Sequence, residues 1–509
     1  MDGVTITTRR AAIAGIAAAA TALGLGEIVA AFITPLSAPL SAVGDAVIAI
    51  SPEGLDRWAK ETFGTADKPL LLGGTLVLLG VFAAGIGILA RRRLAYGMAG
   101  IVVFTAIGVL SAVTRPTAEA LAALPSVMGG AGAAVLLYLL LELPAGQEPA
   151  AEDPRMFGRR RFMVTAGAAV AAAGVGGFAA RTLGQGSMVE QARGEIKLPA
   201  PADPAPGLPA STKLKVKGIT PWHTPNGDFY RIDTALTVPK LDPAQYRLRV
   251  YGRVERELDL SYQDILDMPL IERDITISCV SNEVGGPLVG NARWLGVRLS
   301  DILDKVKPHK GADQLVGRSS DGFTAGAPTE LCRDGRDAML AVGMNGEPLP
   351  VDHGFPVRMI VPGLYGYVSA TKWLTELQLT SFDDFDAYWI PRGWSTPSPI
   401  KTTSRIDTPS SSAKAGTVTV AGVAWAQHRG IEAVEVRVDN EDWREAELAA
   451  EASTDVWRQW KWTWKDAEPG THTLTVRAVD GDGETQTEKV APVAPDGATG
   501  LHSVKVTVE

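Results

Sequence analysis

The chain is poor in cysteine, in histidine and in positive charge, and each shortage removes a class of function. Its 509 residues hold two cysteines, Cys279 and Cys332, so a disulfide scaffold is excluded and one bridge at most can form. No CxxC, CxxCH or zinc-finger spacing occurs, which leaves no haem-attachment motif and no iron–sulfur spacing. A formal net charge of −8, with no basic stripe in the polar part, argues against a nucleic-acid partner. The six histidines are His223, His309, His353, His428, His472 and His502. None lies in the apolar N-terminal third, so that region lacks the axial ligands a membrane b-type haem takes. The run Gly174-Val175-Gly176-Gly177 follows no strand, so it reads as a helix-packing stretch rather than a dinucleotide loop, and no NAD site is expected.

What the chain has instead is long apolar runs. A bilayer span needs about 20 mostly apolar residues. Five stretches qualify, at 11–34, 69–90, 94–113, 120–142 and 162–180. A further run to Ile50 is broken by Pro35 and Pro39 and reads as a continuation or a surface segment. Ionisable residues are absent from the span centres; Glu27 and Glu142 lie towards ends. Arginines cluster at Arg9-Arg10, at Arg91 to Arg93, and at Arg155 with Arg159 to Arg161. With five spans all three clusters fall on one side, the cytoplasmic one, and the rest of the chain lies outside. Had 35–50 been a sixth span, the clusters would fall on both sides. The stretch Arg159-Arg160-Arg161-Phe162-Met163 fits two readings equally: a twin-arginine export signal and a plain positive-inside anchor. The expected assignment is an all-α transmembrane bundle over 1–181, in the bacterial cytoplasmic membrane.

Residues 197–212 contain five prolines, and 182–212 reads as a semi-stiff linker. Residues 213–402 alternate short β-branched runs with short helical patterns such as Leu299 to Val306, which predicts an α+β domain. From 403 to 509 apolar and polar residues alternate in Thr417–Val423, Ala433–Val438, Trp457–Trp464, His472–Val479 and Ser503–Val508, which predicts a β-sandwich.

Three segments of the middle domain carry the chemistry: Thr224 to Asp233; Ile277-Ser278-Cys279-Val280-Ser281-Asn282 with Ala292 to Leu303; and His353 to Gly366 running on to Thr371-Lys372-Trp373-Leu374. In order and spacing they resemble the sulfite oxidase family of molybdopterin-dependent oxidoreductases, over about residues 213–509. The sandwich, with Trp457 to Trp460 and Val436 to Asn440, resembles that family's immunoglobulin-like dimerisation domain and implies a possible homodimer. The resemblance implies that Cys279 is the molybdenum ligand and catalytic centre, a soft thiolate of the kind such a metal takes. It implies that Asn226, Phe229, Tyr230 and Arg231 line the pterin. It implies that His353, Arg358, Ala370, Thr371 and Lys372 meet its phosphate end, with Ser320 a further contact. Cys332 has no motif; a Cys279–Cys332 disulfide is the competing reading.

Members of that family that oxidise sulfite line the pocket with arginines, and here the corresponding positions are Val284 and the Ile232-Asp233-Thr234 run, with Phe323 at a pocket tyrosine position. The expected activity is oxo transfer to or from a small molecule, an S-oxide, an N-oxide or a sulfite-like species. Electrons would be exchanged with a separate protein or a quinone-linked membrane component. A non-catalytic extracytoplasmic receptor is the rival from another class, and it needs no molybdenum. A transporter is a third, weakened by spans without a polar pathway.

Overall fold

The computed structural model describes residues 7–51, 67–115, 118, 121–141, 154–183 and 185–509. The chain divides into two compact units, residues 1–192 with 234–242, and residues 193–233 with 243–509.

The first unit is helical, with α1 Thr8–Ile33, α2 Pro39–Ile50, α3 Asp67–Ala90, α4 Leu94–Val113, α5 Leu124–Leu141 and α6 Pro154–Leu183. Five stretches are long and apolar enough to cross a membrane, by length and composition: Thr8–Ile33, Leu70–Ala90, Leu94–Val113, Leu124–Leu141 and Phe162–Ala180. Among the described residues their core is mostly alanine, joined by Leu136, Leu137 and Leu140 of α5. Ala11, Ala14, Ala17 and Ala18 of α1 are buried, whereas Val81, Phe82, Val102 and Val103 point outward at 56–66% exposure. Small residues let the backbones approach: a Cβ on Gly15 would sit 1.9 Å from the Ala83 carbonyl oxygen, and one on Gly24 2.5 Å from the Ala173 Cβ. Arg91 donates to Thr8 Oγ1 at 2.5 Å, so the first two arginine clusters share one end of the bundle. The charged 51–68 connection lies mostly outside the described residues, as do the side chains of Arg155 and Arg159 to Arg161.

One reading of this region needs correction. The run 35–50 is neither a continuation of α1 nor a surface segment. Pro39 starts a separate helix, where a missing N–H costs nothing, and Ala42 is buried with Ala112 and Ala122. It also carries a charge: Asp45 is ion-paired with Arg115, which donates to the Leu36 carbonyl as well. Residues 234–242 pack with the helical unit, where Thr237 hydrogen-bonds Ser41 at 3.1 Å.

In the second unit β1 Arg247–Gly252, β2 Leu258–Ser261, β3 Leu270–Ser278, β4 Val289–Arg298, β5 Gln314–Ser319, β6 Thr324–Pro328, β7 Met339–Met344, β8 Glu347–Pro348, β9 Arg358–Ile360 and β10 Leu374–Thr380 build two sheets. One runs β3-β4-β7-β8 with β9 on β7; the other runs β2-β1-β10-β5-β6. The expected helix Leu299–Val306 is present: Leu299, Ile302, Leu303 and Val306, one face at helical spacing, are all buried. The proline-rich stretch is no free spacer. Ala202 donates to the Leu270 carbonyl at 2.8 Å, and the Asp203 carboxylate takes Arg273 and Arg298, each at 2.5 Å. Asp337 closes the same network at 2.6 and 2.9 Å, which ties the segment along the edge of β3.

The C-terminal region is a sandwich of β11 Thr403–Thr408, β12 Ser412–Ala413, β13 Gly416–Trp425, β14 Ile431–Val438, β15 Arg444–Glu445, β16 Glu447–Leu448, β17 Arg458–Ala467, β18 Gly470–Asp480 and β19 His502–Val508. Its sheets run β11-β13-β17-β16 and β12-β19-β18-β14-β15. Val420, Val434, Val436, Trp460, Leu474, Val476 and Val506 fill the space between them. The sandwich also grips β3. Trp457 N–H donates to Thr276 Oγ1 at 2.8 Å, and the Gln427 side chain donates to the Thr276 carbonyl at 3.0 Å.

Candidate active site

Cys279 follows the last residue of β3, a strand fixed on one edge by β4 and on the other by these contacts from the sandwich. The loop beyond it is short and internally closed. Asn282 N–H donates to the Cys279 carbonyl at 3.1 Å, and Asn282 Oδ1 accepts the Leu288 N–H at 2.7 Å. Gly286 is needed there, because a Cβ would lie 2.7 Å from Asn282 Oδ1 and 2.9 Å from the Glu283 carbonyl oxygen. Neither cysteine is in a disulfide. Cys332 is buried, and burial pushes its thiol up to about 12, so it is inert. Cys279 is partly exposed and lies within electrostatic reach of two tyrosines, Tyr230 and Tyr365.

On the Tyr230 side the structure gathers a cationic cluster. Arg358 is 4% exposed, and no carboxylate pairs with it among the described residues. One guanidinium nitrogen donates to the His353 carbonyl at 3.1 Å, the group lies 5.0 Å from the Trp294 ring centroid, and its Nε is buried without a hydrogen-bond partner. Desolvation lowers its pKa to about 10, so it stays charged. Lys372 is 9% exposed and bonds Asp233 at 2.9 Å; burial brings it down to about 8. Arg231 shares Asp233 at 2.8 Å and reaches Asp352 at 3.5 Å. Three cations thus face two carboxylates, and the excess sits on the unpaired Arg358. Burial first, and Cys279 second, hold the Tyr230 hydroxyl well above its ordinary range, so it keeps its proton.

His353 is buried, and desolvation, with Arg358 behind it, lowers its pKa to about 4. Its Nε2 lies 3.0 Å from the Asn226 carbonyl oxygen, which can only accept, so the neutral ring carries its proton there. The folded value lies below the unfolded 6.5, so between them the unfolded chain binds the extra proton. Stability should therefore fall as pH drops from about 6.5 to 4, by roughly 2–3 kcal/mol from this group. His502, lowered by burial, has the same sign; His428 and His472, raised by hydrogen bonds to Asp455 and Asp439, have the opposite one. Urea titrations of His353→Gln should show a shallower slope in that window, and an unchanged slope would remove the assignment.

The remaining sequence candidates make contacts within the fold. Asn226 spends its side chain on Glu347 at 2.5 Å and on Asn345 at 2.8 Å. Phe229 packs edge-on against Trp294 and His353, and its ring fills the space a Cβ on Gly290 would take. Thr371 is fully buried; its hydroxyl points to the Gly317 carbonyl at 3.4 Å. Ser320 is buried, with its N–H on the Trp373 carbonyl at 2.9 Å, and Ala370 follows the one-turn helix Gly366–Ser369. Gly354, at φ +109°, lets Lys372 and Arg358 approach: a Cβ would meet Lys372 Cα at 3.0 Å and Arg358 Cβ at 3.2 Å. Gly354→Ala should cost about 1–3 kcal/mol of stability, visible in chemical denaturation.

On the Tyr365 side lies a cavity of about 310 Å³, walled by Ser278, Asn282, Glu283 and Val284 of the cysteine loop and by Lys401, Trp425, Gln486 and Gly500 of the sandwich region. None of the cationic cluster lines it. Tyr365 and Lys401 were missed from sequence. Tyr365 lies inside the His353 to Gly366 segment without a signal of its own, and Lys401 sits in the Pro/Ser/Thr-rich break before the sandwich.

Comparison with known proteins agrees with this layout. Residues 235–389 match the family described as oxidoreductase molybdopterin binding domain, and residues 403–476 the bacterial Ig domain. Mouse mitochondrial sulfite oxidase is 33% identical over 321 residues, which cover 53% of this chain and 58% of that one. The chain thus spans somewhat over half the length of that curated relative. An uncharacterized oxidoreductase of Bacillus subtilis, YuiH, is 33% identical over 153 residues, 30% of this chain and 74% of that one. The crystal structure of the sulfane dehydrogenase SoxCD from Paracoccus pantotrophus shares the fold, at TM-score 0.50 and 22% identity, covering 57% of this chain and 84% of that one.

Proposed function

The chain belongs to the sulfite oxidase family of molybdopterin-dependent oxidoreductases, and from that premise we propose that it is a membrane-anchored enzyme of oxygen-atom transfer. The observation that carries the cofactor assignment is Arg358, a buried guanidinium with no carboxylate among the described residues and an orphaned Nε. Burying a cation costs several kcal/mol unless an anion meets it, and the phosphate of a pyranopterin is such an anion. Arg358, Lys372 and Arg231 would hold that phosphate. Tyr230 would donate its retained proton along the pterin edge, with His353 as a neutral wall and Ser320, Ala370 and Thr371 behind. Asn226 and Phe229 fix the backbone that carries Tyr230. Cys279 would supply the thiolate to the metal.

When bound, the molybdenum centre supplies two-electron oxygen-atom transfer. In the reducing direction the substrate S–O or N–O bond breaks, two electrons and two protons are taken up, and the oxygen leaves as water; oxidation is the reverse. The protein's part is to aim Cys279, exclude bulk water and hold the Tyr230 and Tyr365 protons. Electrons would pass to or from a separate redox protein or a quinone-linked component. The five apolar helices, with two arginine clusters at one end, support a cytoplasmic-membrane anchor with the catalytic region on the other side. The twin-arginine reading of Arg159 to Met163 and a homodimer through the sandwich belong to the same proposal.

Elemental analysis of purified protein tests it. About one molybdenum per chain is expected, together with pterin fluorescence after acid release. A preparation free of both, from a host that makes the cofactor, would favour the receptor reading.

A further inference from the structure

The 310 Å³ cavity is lined by Ser278 and Asn282, which flank Cys279 in the chain, and its composition bears on which substrate it takes. Its charged lining residues are Lys401 and Glu283, and the rest are hydroxyls, amides and the apolar Trp425 and Val284. Lys401 is already neutralised: its Nζ donates to Asp496 Oδ1 at 2.9 Å and to the Gly497 carbonyl at 2.8 Å. The nearby Arg405 is spent on Asp407, Gly286 and Thr220. An ammonium carries three donors, and these two acceptors leave one over. Tyr365 supplies another. Its hydroxyl is pushed up to about 12 by burial, so it keeps a proton, and the backbone N–H of Lys401 lies 3.5 Å from its oxygen. Gly497 permits this arrangement, since at φ +102° a Cβ there would lie 2.6 Å from the tyrosine oxygen.

An ion-paired ammonium and a protonated phenol lining one cavity suit an acceptor oxygen that bears partial negative charge. They do not suit a dianion, which would bring two charges to a cavity with no net positive charge. We infer that this cavity is the substrate site for an uncharged S-oxide or N-oxide, with Lys401 and Tyr365 gripping its oxygen and Asp496 excluding dianions such as sulfite. The inference rests on the oxygen-transfer reading above.

The test uses the full-length holoenzyme with molybdenum content measured for each variant. Dimethyl sulfone serves as an uncharged probe that keeps its oxygens, and sulfate as the dianion; both are titrated by calorimetry. Dimethyl sulfoxide reduction with a viologen donor gives KM and kcat. The wild type is expected to bind the sulfone and not sulfate. Lys401→Met should weaken sulfone binding and raise KM for the sulfoxide about tenfold, with kcat changed less. Asp496→Asn, which keeps the shape and frees the ammonium, should instead gain sulfate binding. The inference is overturned if wild-type enzyme binds sulfate or oxidises sulfite more tightly than it handles the sulfoxide. It is overturned too if Asp496→Asn leaves sulfate binding unchanged, even should Lys401→Met fail to fold. Failure with full molybdenum loading rejects the substrate class alone, whereas molybdenum-free protein rejects the oxygen-transfer reading as well.

Discussion

Cys279→Ser is expected to abolish turnover while leaving the fold intact, the largest effect of any single substitution in the catalytic region. Serine keeps the size of the side chain but not its softness or acidity, so at the proposed metal site it would put a neutral hydroxyl where a thiolate is needed. Even residues that merely support a metal ligand typically cost about 10–100-fold when removed, so loss of the ligand itself should exceed about a hundredfold. Metal can stay attached through the pterin dithiolene, so metal content alone does not decide the matter; an altered molybdenum absorption and electron-paramagnetic spectrum does. Cys279 ends a strand and is partly exposed, so the melting temperature should move little. Cys332→Ser is the control with the opposite signature. That thiol is buried, so the variant should lose stability, about 1 kcal/mol or more for the hydroxyl, and keep the wild-type spectrum. A Cys332→Ser spectrum that changes, beside a Cys279→Ser spectrum that does not, would reverse the assignment.

The parts legible in sequence are those where one residue property sets the outcome. Apolar length marked the five long helices, and period-two alternation marked β13, β14, β17, β18 and β19 within two or three residues at each end. Strand β11 was missed because Thr403–Thr408 has a single apolar residue, Ile406, and holds its place through pairing with β13. The short helix α2 is hidden in sequence because Pro39, which reads as a break in the apolar run, is its first residue. The proline-rich segment read as a spacer because its anchor, Asp203 with Arg273 and Arg298, joins positions about 70 and 95 apart in the chain. The site divides in the same way. Cys279, Tyr230, Arg358 and Lys372 stand in contiguous motifs. Lys401 and Asp496 come from stretches without any motif and meet only through the fold, as does the pairing that leaves Arg358 as the cation without a carboxylate.

That last distinction yields a second large effect. Arg358→Met should reduce bound molybdenum cofactor by about tenfold or more, from the loss of at least one charge-assisted hydrogen bond to the phosphate. A structural arginine paired with a buried carboxylate would behave otherwise, since breaking such a pair costs about 3–5 kcal/mol of fold stability. Among the described residues no such carboxylate pairs with Arg358, and methionine fills similar volume without a buried charge. The variant gives up the contact with the His353 carbonyl and the Trp294 face but is relieved of the desolvation that lowers the guanidinium pKa to about 10. In a host unable to make the cofactor, the apoprotein of Arg358→Met should therefore be as stable as wild type or more so. Lys372→Met should differ, because it removes the ammonium from Asp233 at a 4% exposed position and so destabilises apoprotein and holoprotein alike. Denaturation of the three apoproteins, set beside their molybdenum content from a competent host, separates the two roles. A clearly destabilised Arg358→Met apoprotein with full metal loading would make Arg358 structural and move the phosphate site elsewhere.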